Sequence, residues 1–375
     1  MVRISSVNID TVKKCRLQIS LSLAEVESKV NHIRGIEDGS YIPTLAQLDT
    51  LSKLYSVPRW VFIADNLPQQ YDFADSVNAF RHFSQSRPDI FSNTKIRSVT
   101  SRVSKLRDLM LELLEDLDEP VGNFSPPEID QSVSAEEAGR IVRAWLGVTS
   151  SYPSFQEWKD HLEAHGVFVF ITSKYLGWSH IDESSLRGFS VYHDVRPIIV
   201  INGSDWKKAQ SFTLFHEFAH ILRRESSIDN WEIATRSEEL WCDDFAGAVL
   251  MPAENFTELA RTSVESSDLK RLARKHSVSS FAILVRIRRL GLIDQGVYNS
   301  LEHQLRKEFE EERSKLESAG GVSRNRSSEV IQQYGKFLTS TLYQAYSNKI
   351  IDLGKLAKIL DVKHTQTVFE IGSRL

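Results

Sequence analysis

The chain has 375 residues, 41% hydrophobic and 26% charged, with a formal net charge of -4. That composition is globular rather than disordered, the length leads to an expectation of two or three domains, and the mild acidity leaves no whole-chain basic field to attract nucleic acid. Two cysteines, Cys15 and Cys242, are too few for a disulfide framework or a thiolate zinc knuckle.

Residues 1–67 read as a helical unit. Leu23, Val26, Val30, Ile33 and Ile36 recur at helical spacing, and so do Leu45, Leu48, Leu51 and Leu54. Between the two rows Glu37-Asp38-Gly39 and Pro43-Thr44 supply a stop, a turn and a new start. A helical connector over 68–132 follows, with a long helix at about 95–118 and an acidic, Pro-containing linker from Glu115 to Pro127. Amphipathic helices are predicted over Ala135–Leu146 and Phe155–His165, then strands over Val167–Ile171, Gly188–Tyr192 and Pro197–Asn202. Helices follow at about 208–224 and 236–251, the second halted by Pro252. Beyond residue 300 the pattern gives a charged surface helix over Leu301–Ser318, a Gly/Ser/Arg linker over Ala319–Ser327 and a helical unit over 328–375. No apolar run approaches the roughly 20 residues that span a bilayer, and the first residues lack a signal peptide's apolar stretch. A cytoplasmic protein with no membrane partner is expected.

The chemistry concentrates in SFTLFHEFAHILRR (211–224). Its apolar residues cover most of the helix circumference, which makes the helix largely buried. Thr213, His216, Glu217, His220 and Arg224 fall three and four apart and form one polar stripe. Buried polar groups need partners, and a metal provides one here. His216 and His220, one turn apart, can aim two imidazole nitrogens at one zinc ion. Glu217, about 100° around the helix, can reach water beside the metal and act as the general base. Catalytic zinc keeps three protein ligands, and the next helix offers Glu238 and Glu239. Periodicity alone leaves both open. Asp243, one turn beyond Glu239, favours Glu239, because it could accept a hydrogen bond from a ligand histidine's other ring nitrogen. His193 and His276 read as ordinary packing or surface histidines.

These stretches resemble the ImmA/IrrE family of metallopeptidases. The resemblance rests on GVFVFI (166–171), RGFSVY (187–192), RPIIVIN (196–202), SFTLFHEFAHIL (211–222) and ELWCDDFAGAVLMP (239–252), and continues through LARKHSVSSFAILVRIRRLGLI (272–293). It implies zinc ligands at His216, His220 and Glu239 and a catalytic Glu217. Cys242-Asp243 stands where the family usually has Ala-Asn, which keeps a polar group at that place. Residues 36–63 resemble the XRE-type helix-turn-helix fused to such peptidases, with a turn before the third helix that looks shortened.

The expected fold class is α+β, mainly α: an XRE-like unit over 1–67, the connector, a zincin-like core with a small three-stranded sheet over 133–300, and a helical region over 301–375. The resemblance implies a zinc-dependent regulatory endopeptidase, with Zn2+ as cofactor and Mn2+ as the alternative ion, cleaving a helix-turn-helix repressor in stress, phage or mobile-element control. The alternative is a non-proteolytic regulator or antitoxin of a toxin–antitoxin pair, acting on a toxin or other neighbouring-gene partner or on DNA. Lys29, His32 and Arg34 are mixed with Glu25, Glu27 and Glu37 where a groove would be read. Phosphate contacts need net positive charge there, so the unit is expected to hold a partner or a second copy, as in a homodimer, more than DNA.

Overall fold

The computed structural model describes residues 3–18, 21–55, 57–67, 94–122, 124–130, 132–173, 179–181, 186–205, 207–224, 236–256, 264–316 and 325–375. It is mainly helical with one three-stranded sheet, the expected α+β class. The chain divides into two compact units, one formed by residues 1–102 and the other by most of 103–375. No helix among the described residues is long and apolar enough to cross a membrane.

The first unit holds α1 (Ile9–Gln18), α2 (Leu23–Glu27), α3 (Ile33–Asp38), α4 (Leu45–Tyr55) and a 3-10 turn at Arg59–Ile63. Val12, Val26, Ile33, Ile36, Leu51 and Phe62 close its core. Ser22 and Glu25 cap α2 reciprocally. The predicted row from Leu23 to Ile36 is cut into two helices, because residues 28–32 form a turn with His32 at φ 65°; the turn expected to be short spans those residues. Glu37 also differs from expectation. It is buried against Arg16, whose Nε and Nη2 donate to its carboxylate at 2.7 and 2.8 Å. The acidic groups left near Lys29, His32 and Arg34 are Glu25 and Glu27, and Glu27 pairs with Arg34 at 3.3 Å.

α5 (Thr94–Asp116) contains the division between the units. The second unit continues with α6 (Ala135–Trp145), α7 (Phe155–Ala164), β1 (Phe168–Ile171), β2 (Gly188–Val191), β3 (Ile198–Ile201), α8 (Lys207–Leu222) and α9 (Arg236–Leu250). A 3-10 turn, Ala253–Phe256, leads to α10 (Ser266–Lys275), α11 (Ser280–Arg289) and α12 (Gln295–Leu316). The last four helices are α13 (Arg326–Tyr334), α14 (Lys336–Ser347), α15 (Leu353–Ile359) and α16 (Thr365–Gly372). α12 begins six residues before Leu301 because Asp294 accepts from the Val297 amide and caps its start. The 68–93 part of the connector and residues 317–324 of the predicted surface helix and linker lie outside the described residues, and Arg326–Ser327 belong to α13 rather than to a linker.

The sheet order is β1-β3-β2, with β1 parallel and β2 antiparallel to β3. FVFI and IIVI are continuous apolar runs because both faces of the sheet are covered. On one face Val169, Ile171, Ile199 and Ile201 pack with Leu214, Phe215 and Phe218 of α8. On the other, Phe168 and Phe170, in register with Ile198 and Val200, meet Phe337 and Tyr334 of the C-terminal helices. Gly335, at φ 81°, lies where any Cβ would overlap the Glu163 carboxylate, which is ion-paired with buried Lys159.

Candidate metal centre

β3 leads directly into α8, and a polar latch fixes the junction. Thr172 Oγ1 donates to Asn202 Oδ1 at 3.3 Å and accepts from the Gly203 amide at 3.0 Å, while Asn202 Nδ2 reaches Leu186 O at 2.8 Å. This latch ties the end of β3 to the end of β1 and to Leu186 before β2.

α8 is as buried as its apolar content requires: Thr213, Glu217 and His220 are all buried. Arg224 departs from the predicted stripe. The helix ends at Leu222, and Arg224 lies beyond it, exposed and at φ 58°.

α8 packs against α9, which brings His216, His220 and Glu239 together. One donor atom from each lies within 4.8 Å of the others, the one such grouping of three His, Cys, Asp or Glu found among the described residues. His216 Nε2 is 3.3 Å from Glu239 Oε2, and His220 Nε2 is 3.6 Å from Glu239 Oε1. Donors about 2.0–2.1 Å from a tetrahedral zinc ion stand roughly 3.3 Å apart, so the set fits one. Glu239 rather than Glu238 is in the cluster, and Cys242, fully buried beside it, is not.

Asp243 lies one turn further along α9, its Oδ1 3.0 Å from His216 Nδ1. Burial disfavours a charge on His216, but the carboxylates of Asp243 and Glu239 outweigh it and push the imidazole pKa up to about 10. The contact with His216 in turn holds the Glu239 carboxyl below its ordinary range. The pocket concentrates negative charge on a ring nitrogen, and a proton or a divalent cation can answer it. His220 differs from its neighbour: its Nδ1 is buried with no hydrogen-bond partner among the described residues.

Glu217 projects toward the sheet, where Ser190 Oγ of β2 donates to its Oε2 at 3.1 Å. Ser190 lies within RGFSVY without a catalytic motif of its own. The available signal was strand parity: Gly188 and Ser190 are opposite Ile201 and Ile199, whose side chains face α8. Gly188 allows this approach, since a Cβ there would come within 2.6 Å of Thr213 Cγ2. The Asn202 amide donates to Arg187 O at 2.8 Å, which fixes the hydrogen-bonded pairs of the β2–β3 ladder. By alternation Gly188 and Ser190 turn their backbone groups away from β3, toward the sheet edge.

His193 and His276 lie outside the cluster. His276 Nδ1 meets Leu250 O at 2.9 Å and its ring stacks on Phe256, a packing role.

Residues 162–288 match the family model described as the IrrE N-terminal-like domain, a peptidase family. The segment includes the sheet, α8, α9 and all of α10, and is similar to ImmA/IrrE-type peptidases as the motifs imply. The match extends neither to residues 1–161 nor to the C-terminal helices. No curated protein and no solved structure matches the chain.

Proposed function

We propose that this chain is a zinc-dependent endopeptidase in which His216, His220 and Glu239 hold the ion and Glu217 is the catalytic base. The observation that carries this reading is the convergence of those three donors with Asp243 behind His216. A zinc ion held by His216, His220 and Glu239 would supply Lewis acidity toward a carbonyl oxygen and would make nearby water more acidic.

The chain's own residues supply the rest. β2 lies at the edge of the sheet, so an extended peptide can add to it through main-chain hydrogen bonds and present its scissile carbonyl above α8. Glu217, aimed by Ser190, takes a proton from the attacking water and passes it to the departing amine nitrogen. Asp243 keeps the His216 ring oriented, with its Nε2 toward Glu239.

The substrate we propose is a specific regulatory protein, a helix-turn-helix repressor encoded beside this chain, with residues 1–67 holding a partner or a second copy. The test is incubation of that repressor with zinc-loaded wild type and with Glu217→Gln. Cleavage by the wild type alone supports the reading. An intact repressor with both proteins, each carrying zinc, would favour a non-proteolytic regulator or antitoxin.

A further inference from the structure

Beside the donor cluster, between α8, α9 and α11, lies a cavity of about 280 Å3. It continues the rows that hold the donors. Phe212 precedes His216 by four residues and Gly247 follows Asp243 by four, so the cavity opens one helical turn, about 6 Å, from the cluster. Asp243 belongs to both places.

The lining is mostly apolar, from Phe212, Met251, Phe281, Ala282 and Val285. Gly247 leaves space open: a Cβ there would meet only Arg286 Cδ, at 3.6 Å. The volume is small for a ligand pocket and fits one large side chain. The lining charges divide into spent and unspent. Arg289 binds Asp244 at 2.6 Å, and Arg286 is paired with Glu136. Arg187 and Lys208 are exposed and have no ion pair among the described residues. Arg187 immediately precedes Gly188, where the edge strand begins.

We infer that this cavity selects the substrate by taking a bulky apolar side chain near the scissile bond, while Arg187 and Lys208 receive carboxylates flanking it. The inference rests on the peptidase reading above. A peptide extended along β2 would carry one side chain over the cavity, and the two cations at its mouth would face the residues beside it. Burial of the apolar side chain gives affinity, and the exposed cations add salt-sensitive selectivity.

The test uses full-length, zinc-loaded Glu217→Gln protein and fluorescein-labelled Gly/Ser decapeptides with a central Phe or Ala, flanked by Asp or by Lys. Fluorescence anisotropy should show the Phe peptide with Asp flanks binding at least tenfold tighter than its Ala or Lys-flanked counterparts. Gly247→Leu should remove the Phe preference, while Gly247→Ala, which the space accommodates, keeps it. Arg187→Glu with Lys208→Glu should reverse the flank preference. Equal affinity for Phe and Ala peptides, or a Phe preference that survives Gly247→Leu, overturns the inference. Hydrolysis of the same peptides by wild type separates the two claims. Selective binding without hydrolysis contradicts the peptidase reading alone, and hydrolysis without selectivity contradicts the cavity's role alone.

Discussion

Asp243 and His216, on different helices, meet through Oδ1 and Nδ1 at 3.0 Å, so the acceptor that orients the ring is built on a rigid element packed against α8. Groups behind a metal-binding histidine typically change metal affinity by about 10–100-fold when removed. Asp243→Ala should weaken zinc binding by that factor in a chelator competition titration. Asp243→Asn, which keeps a carbonyl oxygen as acceptor, should lose far less. Equal zinc affinity in Asp243→Ala and wild type would show that the contact has no part in metal binding.

Ser190 and Glu217 give a second, separable prediction. The hydroxyl donates to a buried carboxylate, and a hydrogen bond to a charged group contributes about 1.5–3 kcal/mol. Ser190→Ala should therefore lower kcat about tenfold or more, with zinc content and KM near wild type. A variant that loses its zinc instead would show that Ser190 supports the fold of the site rather than the aim of the base.

His193 predicts an acid sensitivity. Burial first, and then the nearby Arg107 guanidinium, bring its pKa down to about 4 from 6.5. At neutral pH the ring is uncharged in both folded and unfolded chains and contributes no pH dependence. Between about pH 6.5 and 4 the unfolded chain takes up a proton that the native chain refuses, so stability decreases as the pH is lowered through that window. Calorimetric Tm values for His193→Gln should fall less steeply there than those of wild type. Parallel curves would contradict this.

The C-terminal helices carry a structural prediction. Gly335 combines a left-handed backbone with contact against the Lys159–Glu163 pair, leaving no room for a Cβ. Gly335→Ala should cost about 2–4 kcal/mol of unfolding free energy from strain and overpacking, measured by urea denaturation. A cost below about 0.5 kcal/mol, the scale of ordinary surface substitutions, would mean that this junction is not tightly packed.

The three strands and the two helices of the site were legible in sequence because their signals are local: β-branched runs between turn residues, and an apolar helix with one polar stripe. The grouping of Glu239, rather than Glu238, with the two histidines was signalled only by Asp243, since helical periodicity puts both glutamates on inward rows. What sequence could not supply depended on tertiary pairing. Glu37 reads as an exposed acid until Arg16 is placed against it from another helix. Ser190 becomes interesting only once β2 is paired with β3 and α8 is laid across that face. The continuous apolar strands implied a cover on both faces of the sheet, but not that α13 and α14, more than 120 residues away in the chain, provide the second one.

The most direct test of the metal centre is elemental analysis of purified protein. One zinc per chain is expected in wild type and in Glu217→Gln, a clear loss in Glu239→Gln, and none in the His216→Ala/His220→Ala double variant. Zinc retained in full by the double variant, or Glu239→Gln matching wild type while Glu238→Gln loses its metal, would contradict this assignment.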